Sequence, residues 1–105
     1  MTRVYVDISL FTPNSSVGVI NGYMNLENVP SEGGTVAFDK PHTPIPPPGV
    51  TGFDARLVVE LVSPPVSGTT EVLLSLADIT VPSRPDALQV AQYLEQGFGL
   101  YFNEH

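Results

Sequence analysis

The sequence predicts an α+β domain: an antiparallel, twisted sheet of about five strands with one C-terminal amphipathic helix, residues 84–97, packed across it. Three observations carry this expectation. Apolar and polar residues alternate with a period of two in several stretches between residues 3 and 81, clusters of Pro, Gly, Asn and Ser separate those stretches, and a single 3.6-residue periodicity follows them. A β-sandwich with a peripheral helix is the alternative, because the fifth apolar stretch is apolar on both faces near Val72, Leu73 and Leu74. The length of 105 residues suits one domain, residues 1–105, with a core that needs no disulfide or structural metal.

Residues 3–11 place Val4, Val6, Ile8 and Leu10 on one face and Tyr5, Asp7 and Ser9 on the other, the pattern of a half-buried strand. The turn residues 12–16 and the apolar stretch 17–26 complete a β-hairpin. Within that second strand Val17 and Val19 are odd-numbered and Ile20, Met24 and Leu26 even-numbered, so a bulge is expected to shift the pleat. A loop at 28–34 leads to a short third strand at 35–39.

Residues 40–49 hold five prolines, Pro41, Pro44, Pro46, Pro47 and Pro48, and read as a polyproline II loop crossing the surface from one sheet edge to another. The Pro41, Pro44, Pro47 spacing could dock on an aromatic groove, but Lys40 is out of register for such a ligand and an ordered connection is preferred. Alternation resumes at 53–62, with Phe53, Ala55, Leu57, Val59 and Leu61 facing inward. A turn at 63–68 precedes a fifth strand at 71–81, apolar on both sides at Val72, Leu73 and Leu74 and expected to be the most buried.

Ser83 is a candidate helix N-cap, Pro85 suits the first turn and Asp86 favours the positive helix end. Ala87, Leu88, Val90, Ala91 and Leu94 form the apolar face, and Gly97 is placed to end the helix. The apolar tail from Phe98 to Phe102 should dock on the core or add a strand, while residues 103–105 should fray.

Charge narrows the function classes. Eleven acidic residues against four basic ones give a formal net charge of −7. Arg3, Lys40, Arg56 and Arg84 are too few and too scattered to form the basic stripe that nucleic-acid binding or an anionic membrane requires, so neither is expected as a direct partner. The N-terminus lacks the order of a secretory signal, Asp7 interrupts its apolar stretch, and cysteine is absent, which together lead to an expectation of a cytoplasmic protein.

No catalytic or cofactor motif is matched. His42 stands alone in the proline loop and His105 ends the chain, so neither a metal site nor a hydrolytic triad with Asp39 or Asp54 is expected. Asn25, Glu27, Asn28 and Glu32 before Gly33 lack the arrangement of a calcium loop. Asp54 and Glu60 flank Arg56 and read as a surface ion-pair ladder rather than paired catalytic acids. Gly33-Gly34 and Gly97-x-Gly99 lack the lysine and following helix of a phosphate cradle.

The expectation is therefore a non-enzymatic binding protein without cofactors. Its acidic surface would engage a basic protein partner and occlude a site that could itself hold nucleic acid, in the manner of small acidic immunity proteins and phage anti-defence proteins, which share this size and charge. Glu27, Glu32 and Asp39 supply the candidate charges, and Tyr93, Tyr101 and Phe102 the candidate aromatic anchors. The alternative is a self-assembling module that forms a homo-oligomer through edge strands and the C-terminal tail.

Overall fold

The computed structural model describes residues 2–64 and 71–105. Its elements follow in the order β1 (Thr2–Thr12), β2 (Ser15–Leu26), β3 (Thr35–Ala37), β4 (Arg56–Ser63), β5 (Val72–Leu76), β6 (Ile79–Thr80), α1 (Arg84–Phe98) and β7 (Tyr101–Glu104). The α+β class stands, but among the described residues the sheet has seven strands rather than about five and is mixed rather than antiparallel. Its order is β3-β4-β5-β1-β2-β7, with β6 paired to β1 beyond the end of β5. The strands make one sheet, not a sandwich.

β1 is the organising strand. Val4, Val6, Ile8 and Leu10 are fully buried, which makes β1 and not the fifth apolar stretch the most buried strand. It pairs antiparallel with β2 on one side and parallel with β5 and β6 on the other. Since β7 is antiparallel to β2, it runs in the same direction as β5 and β6. Parallel strands need a crossover connection, and α1 supplies it, carrying the chain over β1 and β2. The hairpin is thus inserted between two strands joined by a helix, an arrangement that strand alternation alone does not encode.

The expected bulge in β2 is present: Leu10 faces Gly18 and Phe11 faces Ser16, leaving Val17 as the additional residue. Val17 and Ile20 therefore both reach the core. β4 begins at Arg56 rather than at 53, because Ala55 has a φ of 62° and breaks the extended backbone before it. A second register shift falls between Val59 and Leu61. The expected fifth strand is split into β5 and β6, since at Ala77 the backbone N–H turns to the Val58 carbonyl (2.8 Å) before the chain rejoins β1. Residues 65–68 of the expected turn lie outside the described residues.

The proline segment does not run from edge to edge. It leaves β3, crosses α1 and returns to β4, the neighbour of β3. His42 N–H donates to the Gly97 carbonyl at 2.7 Å, and a Cβ on Gly97 would come within 2.8 Å of Pro41 Cβ. Gly97 therefore lets the strap close on the helix instead of ending it. The crossing to the far edge is made by the loop after β2, which must pass β1, β5 and β4 to reach β3. Four interstrand spacings amount to about 19 Å, within the span of its eight residues, 27–34.

α1 is capped as its sequence suggests. The Ser83 Oγ accepts from the Asp86 backbone N–H (3.4 Å) and donates to the Asp86 carboxylate (3.0 Å). The helix runs through Phe98, and Gly99, with a φ of 71°, closes it by donating to the Glu95 carbonyl. Its buried side includes Ala87, Val90, Ala91, Leu94 and Phe98, whereas Leu88 is 40% exposed and falls off the apolar face. Ser83→Ala should cost about 1 kcal/mol, seen as a lower urea midpoint with an unchanged slope. An unchanged midpoint would show that the cap adds nothing to stability.

The tail does both things allowed for it. Leu100 is buried and residues 101–104 form β7, so Asn103 and Glu104 are ordered by the β2 ladder rather than frayed. Even His105 donates its N–H to the Val17 carbonyl at 3.0 Å.

Candidate functional site

Helix α1 and the strap lie over one face of the sheet; strand alternation builds the other face from the side chains that point away from the core. On β1 these are Arg3, Tyr5, Asp7 and Ser9, and on β2 Val19, Asn21 and Tyr23. Tyr5 and Tyr23 are directly opposed and meet edge to face, with ring centroids 5.1 Å apart. The Arg3 guanidinium lies 4.0 Å from the Tyr23 centroid, which draws that cation onto a ring and orders both groups. Tyr101 of β7 faces Asn21 in register, and the Asn103 amide donates to Asn21 Oδ1 at 3.5 Å.

β4 completes this open face through its bulge. Val58 points outward, and the extra residue between Val59 and Leu61 shifts the pleat so that Leu61 also points outward, opposite Ser75. Unbroken alternation would bury Leu61 with Leu57 and Val59; in the structure it is 50% exposed, beside Val58 at 46%. Bulges concentrate at sheet edges and beside functional sites, where they re-aim a side chain. The exposed ring of Tyr101, at 69%, lies on the same face. Tyrosine offers a large apolar body with a polar tip and little rotamer entropy to lose, and these are properties of interface anchors.

The candidate site residues from the sequence do not converge. Glu27 and Glu32 lie in the crossing after β2, and the Glu32 carboxylate accepts the Val62 N–H at 3.3 Å, tying that loop to β4. Asp39 follows β3 at the other end of that strand. Tyr101 and Phe102 stand at the opposite sheet edge on opposite faces, Tyr101 outward and Phe102 packed against the core.

Tyr93 is not a surface anchor. It is 4% exposed, its hydroxyl donates to the Phe38 carbonyl at 2.5 Å, and its ring lies 5.6 Å from Phe98 and 5.9 Å from Phe53. Burial raises the Tyr93 pKa above 10.0, and the Asp39 charge adds to the effect. Sequence reasoning missed Leu61, Val58 and the Arg3 contact; Tyr5 and Tyr23 are among the four tyrosines that could anchor an interface on sequence grounds, but the pattern does not single them out. A signal for Leu61 and Val58 exists: the doublets Val58-Val59 and Leu61-Val62 are compatible with both pleat phases.

Among the described residues, clefts lie beside the strap and beside β4. One, of about 330 Å³, runs between the strap and α1 and is lined by Ile45, Pro46, Pro47, Gln89, Gln92 and Gln96, with no charged side chain on its walls. The other, of about 400 Å³, sets Asp54, Arg56 and Asp78 around Phe53 and Leu57. The Asp54 carboxylate accepts the Arg56 backbone N–H at 3.2 Å, a local turn contact rather than a rung of the ion-pair ladder expected from the sequence. Among the described residues no group of three or more His, Asp or Glu is placed to hold a metal ion. No described helix is long and apolar enough to cross a membrane. No protein-family model matches the chain, and neither a curated protein nor a solved structure is significantly similar to it.

Proposed function

We propose that this chain is a non-catalytic protein-binding module of the immunity or anti-defence type, working in the cytoplasm, which lays its open sheet face on a basic site of a partner protein and occludes it. The observation that carries the reading is the β4 bulge, which turns Leu61 out beside Val58 on a face that also presents Tyr23 and Tyr101. Apolar and aromatic anchors of this kind hold a complex together, while a net charge of −7 accelerates encounter with a positively charged surface. Asp7 and Glu60 supply negative charge from β1 and β4, and Glu32 adds charge at the β4 edge. No cofactor enters this mechanism, because occlusion needs only shape, charge and slow release.

The test is affinity capture from the native lysate with tagged wild-type protein and with the double variant Leu61→Arg/Tyr23→Ala, each washed at low and high salt. The wild type should retain a basic protein that high salt weakens, and the double variant should bind it at least tenfold less tightly, about 1.4 kcal/mol or more. Circular dichroism should show both proteins folded. Equal capture by the double variant would remove the open face from the mechanism, and a partner with an acidic surface would overturn the electrostatic reading.

A further inference from the structure

The free edge of β7 carries a pattern that is complementary to itself. Tyr101, Asn103 and His105 turn their backbone groups toward β2, as the His105 N–H bond to Val17 shows, so Phe102 and Glu104 turn theirs away from the sheet. Among the described residues no strand lies beyond β7, and the Phe102 N–H donates to the Glu95 carboxylate of α1 at 3.4 Å. At the other end of the strand, Arg84 of α1 forms an ion pair with Glu104. Arg84, Leu88 and Glu95 fall within roughly 40° of one another around the helix axis, forming a stripe above this edge with Leu88 between the charges. The stripe thus reads cation, exposed leucine, anion.

We propose that β7 pairs with β7 of a second copy of this chain across a two-fold axis at Asn103, joining two sheets into one. In that register Phe102 faces Glu104 of the other copy and Glu104 faces its Phe102, two antiparallel pairs that each exchange both N–H···O bonds. The Glu95 carboxylate is released from the Phe102 N–H as the strand bond replaces it. The two helices lie antiparallel on the same side, so Glu95 of each copy comes opposite Arg84 of the other and the Leu88 side chains meet at the axis. On the open face Tyr101, the most exposed large apolar side chain described, comes opposite His105 of the other copy. The reversal of charge order along the stripe selects a second copy: a C2 interface must be self-complementary, and this one is in both backbone and charge. β3, the opposite edge, has only three residues and offers no such stripe.

Sedimentation equilibrium between about 1 and 500 µM should show the mass rising from 11.3 kDa toward twice that value, with a dissociation constant on the order of 10 µM. Arg84→Glu and Glu95→Arg should each remain monomeric over this range, because each places like charges across the axis. An equimolar mixture of the two should recover the dimer mass, since every cross-axis pair is then opposite in sign. Leu88→Asp, which leaves the Arg84–Glu104 pair in place, should also be monomeric while circular dichroism shows it folded. A wild type that stays monomeric throughout, or single variants that dimerise as the wild type does, would overturn the proposal. So would single variants whose mixture stays monomeric.

Discussion

Tyr93→Ala should be among the most destabilising substitutions in this protein, at about 3–5 kcal/mol, lowering the thermal midpoint by more than about 10 °C. The ring packs beneath the strap, edge-to-face with Phe98 and Phe53, while Phe98 in turn meets Phe38 edge to face at 5.1 Å. Alanine removes this ring and leaves the Phe38 carbonyl without its 2.5 Å donor. Tyr93→Phe separates the two losses, since it keeps the ring and should cost only about 1–2 kcal/mol for the orphaned acceptor. The pair of variants also tests the sign of a linkage. A tyrosine whose pKa is raised on folding stabilises the protein below its unfolded value of 10.0, and that contribution is lost as the pH rises through the folded value. Urea unfolding of the wild type should therefore weaken more steeply above about pH 10 than that of Tyr93→Phe. Identical alkaline slopes would show that the buried hydroxyl is not linked to stability. If Tyr93→Ala kept wild-type stability while losing a partner, the ring would belong to an interface after all.

Gly52→Ala should be comparably damaging for a different reason. Gly52 has a φ of 96°, and a Cβ there would collide with the Thr80 carbonyl oxygen and come within 3.2 Å of the carbonyl carbon. The backbone strain is worth about 1–3 kcal/mol and the steric displacement a similar amount. Neither neighbour can give way cheaply, because both are main chain at the junction of β6 and α1. The turn also sets Val50 and Phe53, both nearly buried, so moving it would lift the returning end of the strap from the core. Gly49→Ala is the matched control: it has no atom within 4 Å of the new Cβ and should change the urea midpoint little. Equal midpoints for the two variants would mean that the close approach at Thr80 is not maintained in solution.

Much of the fold was legible because it rests on local periodicity. The alternation in β1, the β1–β2 hairpin and the Ser83 cap each depend on residues close in sequence, and each occurs where the pattern places it. The site was less legible. Exposure of Leu61 depends on a single extra residue between Val59 and Leu61, and the doublets around it permit either phase; pairing with β5 selects one. Tyr93 was misplaced because at helical spacing it sits beside the glutamines of the outer face. It is the strap, arriving from residues far away in sequence, that covers it.

By itself, the sequence determined the helix with its cap, the alternation of β1 and its hairpin with β2, the absence of cysteine and the negative charge, since these follow from residue identity and short-range spacing. Only the tertiary structure decided that β1 has parallel neighbours, that the prolines strap α1 and that the tail closes the sheet beside β2. The physical reason is that partner choice between strands and the covering of a helix flank are settled by long-range packing against the whole core, and no local pattern records which surface will arrive.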